Sequence, residues 1–127
     1  MERTILLVED SDDVREMSAQ FLQSEGFNVV VASNGQEAVD LAERLQPDLI
    51  LMDLNLPVMN GRAAAKRIKT DPATDRIPII LLTAYGREGS NAVIEAGCDG
   101  FLTKPADPKE IVTEIERVLK RRGRVGR

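Results

Sequence analysis

The 127-residue chain has no histidine and no tryptophan, and only one cysteine, one tyrosine and three phenylalanines. Without histidine it lacks the commonest general base near neutral pH and the commonest metal ligand. A lone Cys98 excludes an internal disulfide framework and any multi-cysteine metal site. Chemistry here must run on carboxylates, hydroxyls and lysine. Long apolar runs are missing too: none exceeds about five residues, against the roughly 20 that a membrane-spanning helix needs. The opening Met-Glu-Arg-Thr is no secretion signal, so a soluble, cytoplasmic protein without a membrane partner is expected. Basic charge is scarce over most of the chain. The net charge is −4, but Arg117, Lys120, Arg121, Arg122, Arg124 and Arg127 sit at the end, which leaves an acidic body. Direct nucleic-acid binding is not expected, because phosphate neutralisation needs a basic face.

What is present is an alternation of short apolar runs with helix-length amphipathic segments. That pattern, in a chain long enough for one core, predicts βα units on a parallel sheet in a single domain over residues 1–122, followed by a frayed basic tail over 123–127. Five strands are expected at residues 4–8, 28–32, 48–52, 78–82 and 100–103. The first, third and fourth are nearly continuous Val, Ile and Leu, as strands covered on both faces should be, and the short last one reads as an edge. Between them, apolar residues recur at helical spacing: Val14, Met17, Phe21 and Leu22; Ala38, Leu41, Ala42 and Leu45; Ile111, Ile115, Val118 and Leu119. Ser11 or Asp12, Ser33 or Asn34, and Asp107 are candidate caps, with Pro108 in a first helical position and Gly26 and Gly97 at helix ends. The third and fourth helices are expected over residues 62–69 and 88–96.

In an open parallel sheet, ligands bind outside the carboxyl ends of the strands. Just past those ends stand Glu9 and Asp10, then Asp53, Thr83 and Lys104 before Pro105. Three carboxylates gathered in a small volume repel one another, and a divalent cation removes that cost. With only oxygen ligands to offer, the expected ion is hard, Mg²⁺ or Mn²⁺. Asp12 and Asp13 read more simply as acids at a helix N-terminus. Asp53, alone at the end of a central apolar strand, can act as a nucleophile on a phosphoryl group while the metal and Lys104 neutralise its oxygens and Thr83 donates a hydrogen bond. No general base is required.

Glu9-Asp10, Asp53 with Leu-Asn-Leu-Pro-Val-Met-Asn-Gly, Thr83-Ala84 and Lys104-Pro105 together resemble the receiver domain of two-component response regulators, over roughly residues 3 to 121. The resemblance implies a doubly wound, flavodoxin-like (βα)5 fold with strand order 2-1-3-4-5. It implies that Asp53 accepts a phosphoryl group from a histidine kinase or histidine phosphotransfer protein. Asp10 would ligate Mg²⁺ directly, Glu9 through water, and the Asn55 backbone carbonyl would complete the set. Thr83 and Lys104 would contact the phosphoryl oxygens, the Lys104–Pro105 bond would be cis, and small Ala84 would leave room for the donor.

Phe101 stands at the family's switch aromatic, usually Tyr, so ring burial rather than a hydroxyl would report the switched state. Signalling is then expected through the fourth helix, fifth strand and fifth helix to an unknown protein target, from a monomer or a phosphorylation-dependent dimer. Tyr85, two residues past Thr83, is expected to hinder water and slow loss of the phosphoryl group. Flavin binding is disfavoured because the acidic loop after the first strand repels phosphate. A haloacid-dehalogenase-type phosphatase would need an acid where Asn55 stands. The remaining rival is a phosphorylation-independent interaction module on the same scaffold.

Overall fold

The computed structural model describes residues 2–125, with side chains as far as Arg121. The elements alternate along the chain: β1 (Thr4–Val8), α1 (Asp12–Ser24), β2 (Asn28–Ala32), α2 (Gly35–Leu45), β3 (Leu49–Asp53), α3 (Gly61–Thr70), β4 (Ile79–Thr83), α4 (Gly86–Ala96), β5 (Gly100–Thr103) and α5 (Pro108–Val125). The strands form one parallel sheet in the order β2-β1-β3-β4-β5. β2 and β5 are therefore its edges. Helix α5 continues past residue 122, where the sequence suggested a frayed tail; residues 126 and 127 lie outside the described residues.

Because side chains alternate along a strand, each strand feeds two cores. Ile5, Leu7, Leu49, Leu51, Ile80 and Leu82 face α1 and α5, where they meet Leu22, Val112, Ile115, Val118 and Leu119. Leu6, Val8, Ile50, Met52, Ile79 and Leu81 face the other way, onto Ala38, Ala42, Ala64, Ala65, Ala92 and Ala96 of α2, α3 and α4. Small residues let those three helices lie close to the sheet, whereas α1 and α5 fill the opposite layer with large ones. Each fully buried Leu or Ile contributes about 1.5–3 kcal/mol from the apolar surface it removes from water. Two positions of the α1 pattern do not join this core: Val14 and Met17 are exposed, Met17 at 67%.

The caps resolve the choices left open by the sequence. Ser11 accepts from the Val14 amide, Asn34 from Glu37 and Asn60 from Ala63. Helix α4 differs, since its N-cap is Tyr85 and no side chain accepts from its first turn. It begins at Gly86, two residues before the sequence placed it. At the opposite rim of the sheet, the Lys69 ammonium donates to the carbonyls of Asp75 (3.1 Å) and Ile77 (2.8 Å) and pairs with Asp99 at 3.4 Å. The same Asp99 oxygen accepts from the Ile79 amide. This buried network ties the end of α3 to the start of β4 and to the turn between α4 and β5. Among the described residues, no helix is long and apolar enough to cross a membrane.

Candidate active site

Strand alternation decides which way each strand-end residue points. Asp53 continues the Leu49, Leu51 series toward the α1 and α5 side, and Glu9 continues Ile5, Leu7 on the neighbouring strand, its amide extending the ladder to the Ala32 carbonyl. The two acids thus share one side of the rim. Asp10 follows in the loop. Carboxylate oxygens of Glu9, Asp10 and Asp53 all lie within 4.8 Å of one another. Glu9 and Asp53 are each only 4% exposed, while Asp10 is open to solvent. Asp12 and Asp13 stand outside this cluster, and Asp12 instead pairs with Arg15.

Lys104 reaches the same place from the end of β5. Its ammonium makes a direct ion pair with Asp53 Oδ2 and a longer one, 3.4 Å, with Glu9 Oε1. Asp53 Oδ1 accepts from the Asn55 amide at 2.9 Å, and Glu9 Oε2 from the Ser11 amide at 3.2 Å. Burial pushes the Glu9 carboxyl above its ordinary range; the Ser11 amide and Lys104 pull it down without cancelling that, and Asp53 adds to the rise. Burial also works against the Lys104 ammonium. There the Asp53 hydrogen bond and the charges of Asp53 and Glu9 prevail and hold the amine above the usual lysine value. A hard divalent cation fits this donor set. Three oxygen acids facing one another, two of them buried, with one lysine against them, still carry excess negative charge that Mg²⁺ would neutralise.

Thr83 lies at the matching strand end but on the other side of the sheet, in the Ile79, Leu81 series. Its hydroxyl is turned away from Asp53: it accepts from the Tyr85 amide at 3.1 Å and donates to the Tyr85 carbonyl at 3.3 Å. Phe101, paired in register with Leu81, sits on that same side and packs against α4. Ala84 and Pro105 are exposed at the mouth, the Lys104–Pro105 bond is cis, and Tyr85 is 68% exposed. The rim therefore gathers Glu9, Asp10, Asp53, Asn55 and Lys104, with Thr83 and Phe101 one layer behind.

Two features were not anticipated. Arg15, which reads in sequence as an ordinary surface residue of α1, sends Nη1 to the Glu9 carbonyl at 2.9 Å. Its only sequence cue is the three-residue spacing from Asp12. Val58, in the loop after Asp53, has a φ of 67°, a left-handed conformation that a β-branched residue rarely adopts.

This arrangement has close counterparts among known proteins. The profile of the response regulator receiver domain matches residues 5–116. The chain belongs to the response regulator receiver domain family. It is 42% identical to the phosphate regulon transcriptional regulatory protein PhoB of Pseudomonas aeruginosa over 122 residues, 95% of this chain and 53% of PhoB. It is 38% identical to the transcriptional regulatory protein SrrA of Staphylococcus aureus, over 95% of this chain and 49% of that protein. The receiver domain thus spans about half the length of the curated relatives it matches. Among solved structures, chemotaxis protein CheY4 of Vibrio cholerae superposes with a TM-score of 0.86 at 31% identity, covering 93% of this chain and 99% of CheY4. The receiver domain of the Pseudomonas aeruginosa sensor histidine kinase PA1611 superposes at 0.81 with 36% identity, covering 95% and 97%. That structure holds a magnesium ion in its active site cleft. A regulatory module of two-component signalling, with the flavodoxin-like fold expected from sequence, is what the family assignment carries.

Proposed function

We propose that this receiver domain takes a phosphoryl group onto Asp53 from a histidine kinase or histidine phosphotransfer protein, in a step that depends on Mg²⁺. The observation that carries the reading is the convergence of the Lys104 ammonium with the Asp53 and Glu9 carboxylates, beside Asp10, at one rim of the sheet. Glu9, Asp10, Asp53 and the Asn55 carbonyl are the residues that would hold the cation. Bound there, Mg²⁺ supplies positive charge to the phosphoryl oxygens. In the transfer, an Asp53 oxygen bonds to phosphorus as the bond from phosphorus to the donor's imidazole nitrogen breaks, and an acyl phosphate remains on Asp53. Lys104 moves from pairing the free carboxylate to pairing the phosphoryl oxygens. Self-catalysis by these residues also covers transfer from small phosphodonors and the later hydrolysis. Mn²⁺ would satisfy the same oxygen ligands.

Access fits this assignment. A cavity of about 390 Å³, lined by Glu9, Val14, Ser18, Lys104, Pro105 and Ala106 among others, opens from the site between α1 and the loop before α5. For output, the Thr83 hydroxyl leaves the Tyr85 backbone for the phosphoryl group, and the Phe101 ring follows into the space released, altering the surface of α4, β5 and α5 that meets a downstream protein. Direct nucleic-acid contact is no part of this domain's proposed role, given its acidic body, and dimerisation on phosphorylation is the expected route if the target is a second copy. The test is mass spectrometry after incubation with acetyl phosphate and Mg²⁺. Wild type should gain one phosphate and Asp53→Ala none; an adduct on both refutes the assignment.

A further inference from the structure

The Arg15 guanidinium is a second cation at this rim, and it touches no carboxylate of the cluster. Its Nη1 donates to the Glu9 carbonyl at 2.9 Å and its Nη2 pairs with Asp12 Oδ1 at 2.5 Å; the side chain is only 20% exposed. The Glu9 carbonyl and the Asp10 amide belong to one planar peptide unit. Arg15 therefore fixes the plane from which the Asp10 side chain departs. The preceding peptide is fixed as well, by the Glu9 amide on the Ala32 carbonyl. Between these two anchors stands Glu9, and immediately after them Asp10, whose carboxylate is exposed and is carried by a loop rather than by a strand. Of the three clustered acids, Asp10 most needs something to hold its backbone.

We infer that Arg15 is a positioning residue for the cation site: its bond to the Glu9 carbonyl holds the Glu9–Asp10 peptide in the orientation that brings the Asp10 carboxylate to those of Glu9 and Asp53. The Asp12 pairing completes the device, since it holds the guanidinium at the carbonyl and draws Asp12 away from the cluster. The inference rests on the magnesium reading of the site. It makes a prediction opposite in sign to plain electrostatics. A guanidinium near a dication repels it, so if charge alone mattered, losing Arg15 would tighten Mg²⁺ binding. If Arg15 acts by positioning, losing it weakens binding, as loss of the groups that orient metal ligands does.

The experiment is isothermal titration calorimetry of Mg²⁺ into the full chain, for wild type, Arg15→Met, Arg15→Lys and Asp10→Ala, with urea denaturation of each to confirm folding. Arg15→Met keeps the apolar stem and removes the fork; it should raise the Mg²⁺ dissociation constant by about tenfold. Arg15→Lys keeps the charge but cannot span carbonyl and carboxylate together, and should also bind more weakly. Unchanged or tighter binding in Arg15→Met overturns the inference; if that variant does not fold, unchanged binding in Arg15→Lys does so. Magnesium heat that persists undiminished in Asp10→Ala overturns the site itself, whereas its loss there with Arg15→Met unaffected overturns only the role of Arg15.

Discussion

The Phe101 ring occupies the space that any side chain at Gly89 would need. A Cβ on Gly89 would stand 2.6 Å from the ring and 2.7 Å from the Thr83 methyl, so α4 rests on both residues only because position 89 has no side chain. In an exposed helix interior, Gly→Ala gains about 1 kcal/mol. Here Gly89→Ala should instead cost about 1–3 kcal/mol, the usual price of overpacking, and should displace the Phe101 ring outward. Urea denaturation reads the first effect and the aromatic NMR shifts of Phe101 the second; a more stable variant with unmoved shifts would show that α4 yields freely.

Lys104 pairs with Asp53 and Glu9 and would compete with a cation for both carboxylates. Replacing it with Met should tighten Mg²⁺ binding several-fold while slowing acetyl-phosphate labelling, if the same ammonium stabilises the phosphoryl oxygens during transfer as proposed. Calorimetry and the labelling rate measure the two halves separately. Weaker magnesium binding would contradict the competition.

Val58 combines a φ of 67° with 83% exposure, so its side chain gains little packing in return for its backbone. A non-glycine residue held in this region costs of order 1–3 kcal/mol, against roughly 0.5–1 kcal/mol of extra unfolded-state entropy for glycine. Val58→Gly should therefore raise stability by about 1 kcal/mol, the middle of the difference between those ranges, seen as a higher urea midpoint at unchanged slope.

The Val58 conformation has no signal in the sequence. The ends of β1 and β2 were legible because each apolar run ends where its ladder ends, at Val8 and Ala32. β3 and β4 were each placed one residue early: Asp53 and Thr83 are polar and closed the apolar runs, yet both still pair in register, Asp53 with Leu82 and Thr83 with Thr103. Helix α4 was placed two residues late because Gly86 reads as a helix breaker. The acids and lysine of the site stood out because charged residues at the tips of buried strands need partners. Arg15 and Lys69 did not, since each acts on backbone carbonyls, and a carbonyl leaves no trace in the residue alphabet.

Cys98 packs beside the α2–α4 core, and burial pushes its thiol up to about 12, with Lys69 drawing it down and Asp99 pushing it further up. At pH 8 the native thiolate is then on the order of one part in 10,000, so iodoacetamide should label the folded chain far more slowly than the urea-unfolded one. The folded state also holds this proton longer than the unfolded state, whose thiol titrates near 9.0. Stability should fall as pH rises from about 9 toward 12, and Cys98→Ala should flatten that part of the alkaline limb. Equal limbs in both proteins would refute the coupling.

Tyr85 donates and accepts through its backbone at Thr83 while its ring projects into solvent. If the ring screens the acyl phosphate from water, Tyr85→Ala should shorten the phosphoryl lifetime at least twofold in a ³²P-release assay. An unchanged rate would leave the ring without that role.

The network of Lys69, Asp99 and the Ile79 amide fastens the far end of α4, through the turn into β5, to the root of β4. The near end, at Tyr85 and Gly86, is held instead by the Thr83 hydroxyl, which bonds both the amide and the carbonyl of Tyr85. Were that hydroxyl to leave for a phosphoryl group, α4 would be released at its Gly86 end while its Gly97 end stayed tied to β4, like a door unlatched on a fixed jamb.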